Sequence, residues 1–284
     1  MLKTDDLCLC CGTVETADFS QLVEAAAAGG FHSISLRSQH YQAAREAGLS
    51  DRDMRLMLEE HGLVITEFDP LVKWLPKELL GFDVDALRIP YLSATEDTFF
   101  RIAEALGGRH INAIQIFGPK LETDVYAEHF ARLCDHAAGH GLKVSLEFLP
   151  WSPIPDLKRA VQIVSMANRA NGGILLDTWH HFRSGHGAKD LLALRGNVVA
   201  AIQMNDATAQ PWDDLTKETV HNRLLPGEGA IDLVGVIRAL DDIGCDAPVG
   251  VEVFSDELNK LSPVQVARRA GDSTRAVLEA ARRR

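Results

Sequence analysis

Short apolar runs rich in Val, Ile and Leu alternate along the chain with longer stretches in which apolar residues recur every three or four positions. Runs of the first kind read as strands buried on both faces, and stretches of the second as helices with one apolar side. The pattern predicts eight strands: residues 7–14 (LCLCCGTV), 31–37 (FHSISLR), 63–69 (LVITEFD), 111–117 (INAIQIF), 143–149 (KVSLEFL), 173–177 (GILLD), 198–205 (VVAAIQMN) and 249–254 (VGVEVF). Helices are predicted between them at 18–30, 51–62, 94–108, 124–141, 156–168, 188–196 and 231–244, with another at 262–284 after the last strand. Several of these stretches end in Gly, the residue best suited to a left-handed cap.

Eight strand–helix units predict an α/β fold, a closed (β/α)8 TIM barrel, because a doubly wound open sheet rarely needs eight evenly spaced, equivalent strands. Such barrels typically run to about 250 residues, so the 284 residues are expected to form a single domain spanning 1–284. No linker rich in Pro, Gly or Ser divides the chain. The one irregular passage, residues 70–90, follows the third strand and is expected to form a loop over the active face.

Composition then removes several classes of function. Apolar residues make up 46% of the chain and charged residues 24%, as in a globular protein with a large core. Lys and Arg total 29 against 40 Asp and Glu, a formal charge of −11, and no basic track suited to nucleic acid is present. The closing ARRR is expected to complement the dipole of the last helix. No apolar run approaches the ~20 residues that cross a bilayer, and the opening MLKTDD has no signal-peptide core, so no membrane partner and a cytoplasmic location are expected. Cys8, Cys10, Cys11, Cys134 and Cys245 are odd in number, which argues against a secreted disulfide framework. In a strand, Cys8 and Cys10 face one side and Cys11 the other, and without a second cluster they read as small buried residues rather than metal ligands.

The chemistry is expected where strands end, at the C-terminal face of the barrel. Strand five closes with Glu147 in SLEFLPW, strand six with Asp177 in LLDTWHH, strand seven with Gln203 in AIQMND and strand eight with Glu252 in VEVF. If alternate residues point inward, these four bring three carboxylates and an amide oxygen to one axial site. Three negative charges packed together repel unless a divalent cation sits among them, and hard oxygen donors suit Mg, Mn or Co. One divalent ion held by Glu147, Asp177, Gln203 and Glu252 is therefore expected.

The series Glu147, then DTWH, then Gln203 ahead of Asn205 and Asp206, then NRLLPGEGAIDL, then VEVF resembles the xylose-isomerase-like barrel superfamily of sugar phosphate isomerases and epimerases. The resemblance runs over nearly the whole chain. It implies a divalent ion held by Glu, Asp, His and Glu from strands five to eight, with Glu147, Asp177 and Glu252 as ligands here and His180 as the histidine that follows the Asp by three. At strand seven Gln203 stands where the commonest form has His. A Gln there is similar to the arrangement in bacterial 3-dehydroshikimate dehydratases of the same superfamily, which perform a lyase reaction.

The resemblance implies a metal-dependent isomerase or epimerase acting on a small sugar or cyclic polyol-derived carbonyl compound. Glu147 and Glu252 would exchange a proton next to the carbonyl, with His180 orienting a substrate oxygen or serving as acid–base group. Arg223, in RLLPGEG, is expected to reach over the pocket, and Trp151, Trp179 and Trp74 are candidates for its walls. Arg37, Glu67 and Gln115 are pocket candidates by their places near the ends of strands two, three and four, while His181 and His221 are expected to pack or lie in loops. The alternative is a lyase on the same scaffold, of the dehydroshikimate or inosose dehydratase kind or cleaving a 3-keto-glycoside. An endonuclease is opposed by the charge of −11, and a non-catalytic sugar-binding barrel remains a further reading. Barrels with apolar loops often pair, so a homo-oligomer is also an expectation.

Overall fold

The predicted strands hydrogen-bond in one ring. In the computed structural model, which describes residue 2 and residues 6–283, eight parallel strands close in chain order: β1 (Leu7–Leu9), β2 (Ser33–Leu36), β3 (Val64–Leu71), β4 (His110–Ile114), β5 (Lys143–Glu147), β6 (Gly172–Asp177), β7 (Val199–Met204) and β8 (Val249–Val251). Closure comes from β1 against β8, with Leu7, Cys8 and Leu9 opposite Val249, Gly250 and Val251. This is the expected (β/α)8 TIM barrel. Most of the opening MLKTDD, and Arg284 of the closing ARRR, lie outside the described residues.

The two-residue period of the strands sorts their side chains into two populations. Ile34, Leu36, Phe68, Ile111, Ala113, Val144, Leu146, Ile174, Leu176, Ile202 and Met204 join the apolar core shared with the surrounding helices. The alternate positions Ser33, Ser35, Glu67, Asn112, Ser145 and Gln203 are polar and equally buried. A hydrogen bond from Gln203 on β7 to Glu67 on β3, strands that are not neighbours, crosses the barrel and places this second set inside it. The apolar runs are thus buried on both faces as expected, but the inner face is polar.

The helices follow the amphipathic pattern and are capped by side chains named in the sequence. Asp18, Ser50, Thr95, Asp156, Asp232 and Ser262 accept backbone N–H bonds at the starts of Phe19–Ala28, Asp51–Glu60, Glu96–Leu106, Leu157–Ala167, Leu233–Asp242 and Pro263–Arg282. All five cysteines are free and buried, as expected.

Four local expectations change. Strand one stops at Leu9, and Cys11–Val14 is a 3-10 turn. There the Thr13 hydroxyl donates to Val251 O (2.8 Å) and accepts from Val253 N (2.9 Å), replacing the ladder beyond β8. The helix expected at 188–196 covers only Ala188–Leu191, and Gly196 beyond it lies so close to the backbone of residues 243–245 that a Cβ would stand 2.6 Å from it. Three helices were not foreseen, Ser38–Glu46, Thr178–Arg183 and Leu215–His221. Residues 70–90 break into a short helix (Lys77–Leu80) and a 3-10 turn (Asp85–Leu87), with another turn at Pro90–Ser93.

One buried histidine links the fold to pH. His40, in the first turn of Ser38–Glu46, accepts the Arg37 N–H on Nδ1 at 3.3 Å. Burial and then the Arg37 charge lower its pKa from 6.5 to about 4. The unfolded chain takes up this proton near 6.5 and the folded chain only near 4, so the contribution is whole above the first value and is lost as pH falls toward the second. Denaturant titrations of the parent and of His40→Asn should diverge across that window by roughly 3 kcal/mol, at about 1.4 kcal/mol per pKa unit. Parallel stability–pH curves would contradict this reading.

Candidate active site

The inward positions end in a ring of acids. Asp69 near the end of β3, Glu147 closing β5, Asp177 closing β6 and Glu252 just beyond β8 are all buried, and Gln203 on β7 lies in register with Asp177 on one side and Gly250 on the other. Asp177 has two tasks. As the last residue of a buried strand it also caps the helix Thr178–Arg183, with Oδ1 accepting from the His180 N–H at 2.9 Å. That cap turns His180 back to the ring, where its Nε2 is 3.4 Å from Glu147 Oε1. Ligand atoms of Glu147, Asp177 and His180 lie within 4.8 Å of one another.

Buried amides hold the acids in place. Asn112 Nδ2 donates to Glu147 Oε2 (2.7 Å) and Asp69 Oδ1 (2.9 Å), and its own carbonyl oxygen accepts from the Ser145 hydroxyl at 3.2 Å. Asn205 Nδ2 donates to Asp177 Oδ2 (2.8 Å) and to Glu252 O (3.1 Å), while its Oδ1 accepts from the Trp179 N–H and the Thr178 hydroxyl. Gln203 Nε2 donates to Glu67 Oε1 at 2.8 Å, and Glu67 Oε2 meets His110 Nε2 at 2.7 Å. This chain commits the nitrogen of the Gln203 amide and leaves Oε1 buried with no hydrogen-bond partner.

Five buried carboxylates, Glu67, Asp69, Glu147, Asp177 and Glu252, share this region with two buried guanidiniums, Arg37 and Arg223. Arg223 Nη1 donates to Asp177 Oδ2 (2.7 Å) and Glu252 Oε2 (3.3 Å). Burial pushes Asp177 up, but Arg223, His180 and the hydrogen bonds it accepts together hold its pKa below the ordinary carboxylate value. Glu147 is driven well above that value by burial and then by Asp177, Asp69 and Glu252, and Glu252 by burial and then Asp69. His180 is lowered from 6.5 to about 3, chiefly by burial, and is neutral. Converging hard oxygens, an unpartnered amide oxygen, a neutral imidazole and uncompensated negative charge fit a divalent cation.

A cavity of about 270 Å³ opens onto the ring and is lined by Glu147, His180, Glu252, Arg223 and Trp151 among others. Its rim includes Leu87, Ile89 and Tyr91, so the passage after the third strand does lie over this face. Arg223 is set in place by a backbone bond to Phe254 O (2.9 Å) and by Nε donation to Thr219 O (2.9 Å). The following loop folds around Asp206, which accepts from the N–H groups of Gly227, Gly229 and Ile231. A Cβ on Gly229 would stand 2.4 Å from Asp206 Oδ1 and Ala207 O, so that approach requires glycine.

The structure does not bring every foreseen residue to the cavity. Gln115 is turned aside, accepting from Tyr126 Oη (2.6 Å), and fixes the loop after β4 instead. Glu67 sits a layer below the ring, against His110 and Gln203, so it positions a neighbour rather than lining the pocket. Trp74 belongs to the core against Tyr126 and Phe130, with Nε1 donating to Ile114 O. Trp179 packs behind His180 and Arg223. His181 bonds Gly187 O, as expected of a packing residue, and His221 pairs with Asp256 at the surface, but as the last residue of the helix Leu215–His221 rather than in a loop. Asp69, Asn112, Asn205, Tyr91 and Phe254 were missed. Asp69 shares strand parity with Glu67, and Asn112 interrupts an apolar run, so both left a signal in the sequence.

The chain matches the xylose isomerase-like TIM barrel family over residues 23–280. It is 31% identical over 176 residues to the inosose isomerase of Bacillus licheniformis, covering 60% of this chain and 62% of that protein. It is 27% identical over 241 residues to the 3-dehydroshikimate dehydratase of Pseudomonas aeruginosa, covering 82% of this chain but 36% of that protein. The match thus spans less than two thirds of the length of these curated relatives, both of which are enzymes. A crystal structure of the IOLI protein with a binding zinc atom superposes with a TM-score of 0.83 at 23% identity, covering 97% of this chain and 98% of that one, and shares the fold.

The committed Gln203 nitrogen generates a test. Chelator-competition titrations should show Gln203→His keeping divalent-ion affinity and Gln203→Leu losing roughly 10- to 100-fold. Glu67→Gln, whose amide can donate as well as accept, frees the Gln203 amide to flip and should lower affinity in the same direction. Parental affinity in both Gln203→Leu and Glu67→Gln would remove Gln203 from the ligand set.

Proposed function

The chain belongs to the xylose isomerase-like TIM barrel family, and from that premise we propose that it is a divalent-metal-dependent isomerase or epimerase, one barrel domain acting on a small polyhydroxy carbonyl compound by removing a proton next to the carbonyl. The observation that carries the reading is the unpartnered Gln203 Oε1 beside converging buried carboxylates. Glu147, Asp177, Gln203 and Glu252 would hold the ion, with His180 next to it. When bound, a cation such as Mn, Mg or Co would stabilise negative charge developing on the substrate oxygen.

The chain's own groups supply the rest. Glu147 and Glu252 come from strands that are not neighbours in the ring and both line the cavity, so a substrate between them meets a carboxylate on two sides. One takes the proton from the carbon and the other returns it. His180, with its backbone anchored to Asp177, presents a neutral imidazole to a substrate oxygen. The apolar walls at Ile114, Leu149 and Trp151 keep water from the carbanionic carbon.

A second reading, a lyase on the same site, is favoured by the amide at position 203 and by similarity to a 3-dehydroshikimate dehydratase over 82% of this chain. The first step is shared. The two differ in whether the proton returns or a β-hydroxyl leaves.

Metal-replete protein incubated with an inosose or 3-dehydroshikimate in deuterated water, followed by NMR, separates them. Deuterium at the α-carbon without loss of water supports the isomerase, and loss of the hydroxyl supports the lyase. Absence of exchange with every keto-sugar, inosose and dehydroshikimate tried would contradict both. His180→Ala should retain bound metal and fold while the rate drops about 10²- to 10⁴-fold, as for a general acid–base group. Parental turnover in that variant would assign His180 to the scaffold.

A further inference from the structure

Among the described residues nine large apolar side chains stand exposed, and four of them, Leu87, Ile89, Phe117 and Val220, line the same cavity as Glu147, His180 and Glu252. Their exposures run from 36% to 45%, whereas the charged and imidazole groups of that cavity are each at most 6% exposed. The cavity therefore has two zones, a buried base of acids and guanidiniums and an apolar rim in water. A contiguous apolar surface of this kind marks a place where something binds.

Leu87 and Ile89 belong to the passage after β3, Phe117 to the loop after β4 and Val220 to the helix Leu215–His221 after β7. Strand β7 is a neighbour of neither β3 nor β4 in the ring, so the apolar side chains come from two sides of the mouth. The first two loops interlock: Gly118 has φ +107° and a Cβ on it would overlap Leu80 O, while a Cβ on Gly81, with φ +71°, would stand 2.5 Å from Pro119 Cδ. Phe117 meets Phe82 edge-on with ring centroids 6.0 Å apart, and Lys73 Nζ holds Asp85 of the adjoining turn at 2.6 Å. Packing thus preforms the rim, as in a ligand site rather than a lid that closes on itself. A second copy of the chain seated on it would block the way to the acids.

We propose that the rim is a subsite for an apolar group of the substrate, so that the molecule processed here is a polyhydroxy ring ketone carrying a substituent about the size of a phenyl ring on the side away from the acids; this rests on the proton-abstraction reading and adds a substituent that none of the compounds named above specifies. The cavity, about 270 Å³, falls just below the ~300–1,000 Å³ common for drug-sized ligands, and its base admits one polyhydroxy ring. Such a ring finds polar partners among the buried groups and leaves Leu87, Ile89, Phe117 and Val220 uncovered. Covering them with an apolar substituent removes their surface and its own from water.

Phenyl and methyl glucopyranosides, each as the α and the β anomer, share a polyhydroxy ring, lack the ketone and differ in the group they carry, so they read the contact without turnover. Calorimetric titration of metal-replete protein should give a phenyl glucoside roughly 10-fold tighter binding than its methyl counterpart, about 1.4 kcal/mol and near the lower end of what covering one apolar side chain contributes. Val220→Thr, which keeps the shape of the side chain but adds a hydroxyl, and Leu87→Gln should each cut that preference by roughly 2- to 5-fold, and the double variant should abolish it. Met166→Gln, exposed on the helix Leu157–Ala167 outside the cavity, should leave it intact. No binding of any of the four glucosides, equal binding of phenyl and methyl forms, an unchanged preference in the double variant, or a dimer that excludes the phenyl glucoside and dissociates in Leu87→Gln would each overturn the proposal. Deuterium exchange into an inosose reads the reaction separately: exchange beside equal binding of the glucosides would overturn the subsite and leave the reaction standing, and no exchange with any ketone tried, beside a rim-dependent preference, would do the reverse.

Discussion

The barrel mouth buries more negative charge than its own cations neutralise, and the surrounding structure is arranged around that excess. Removing a carboxylate from water costs several kcal/mol even after relaxation, and like charges nearby raise the cost. Five acids share the region with Arg37 and Arg223, and of these two guanidiniums only Arg223 forms an ion pair with any of them among the described residues. Asn112 and Asn205 each donate to the acids, and Arg223 holds two of them. What these contacts leave unmet is a charge and a free amide oxygen, and a divalent cation would answer both.

One alternation along the strands produces both the core and the site. Outward positions carry the Ile, Leu, Val and Phe that bind the helix layer, and inward positions carry the polar groups that rise in layers to the mouth. The lower layer, with Glu67 and His110, orients Gln203 above it. Local chain geometry finishes the arrangement: the carboxylate of Asp177 starts a helix, and that helix delivers His180.

Much of this was legible in the sequence because strand period and strand ends are local properties. The eight strands, the barrel, and the meeting of Glu147, Asp177, Gln203 and Glu252 at one face all follow from which residues close an apolar run. Partners across the barrel are not local. Glu67 and Gln115 occupy strand positions that look alike in sequence, yet one bonds Gln203 and the other Tyr126, and neither enters the cavity. Asp69, Asn112 and Asn205 gain their roles from neighbours far away in the chain, as does Arg37 from Tyr91 and Phe254. The shortening of strand one depended on Thr13 reaching Val251, a contact that no run of apolar residues announces.

Metal analysis of protein purified without chelator, combined with thermal unfolding in the presence and absence of chelator, tests the central claim most directly. The account predicts one divalent ion per chain, a lower unfolding midpoint once it is removed, since an ion bound only to the folded state stabilises it, and loss of both ion and midpoint shift in Asp177→Asn. Protein that holds no ion, takes up none of Mn, Mg or Co, and unfolds at the same temperature with or without chelator would contradict it.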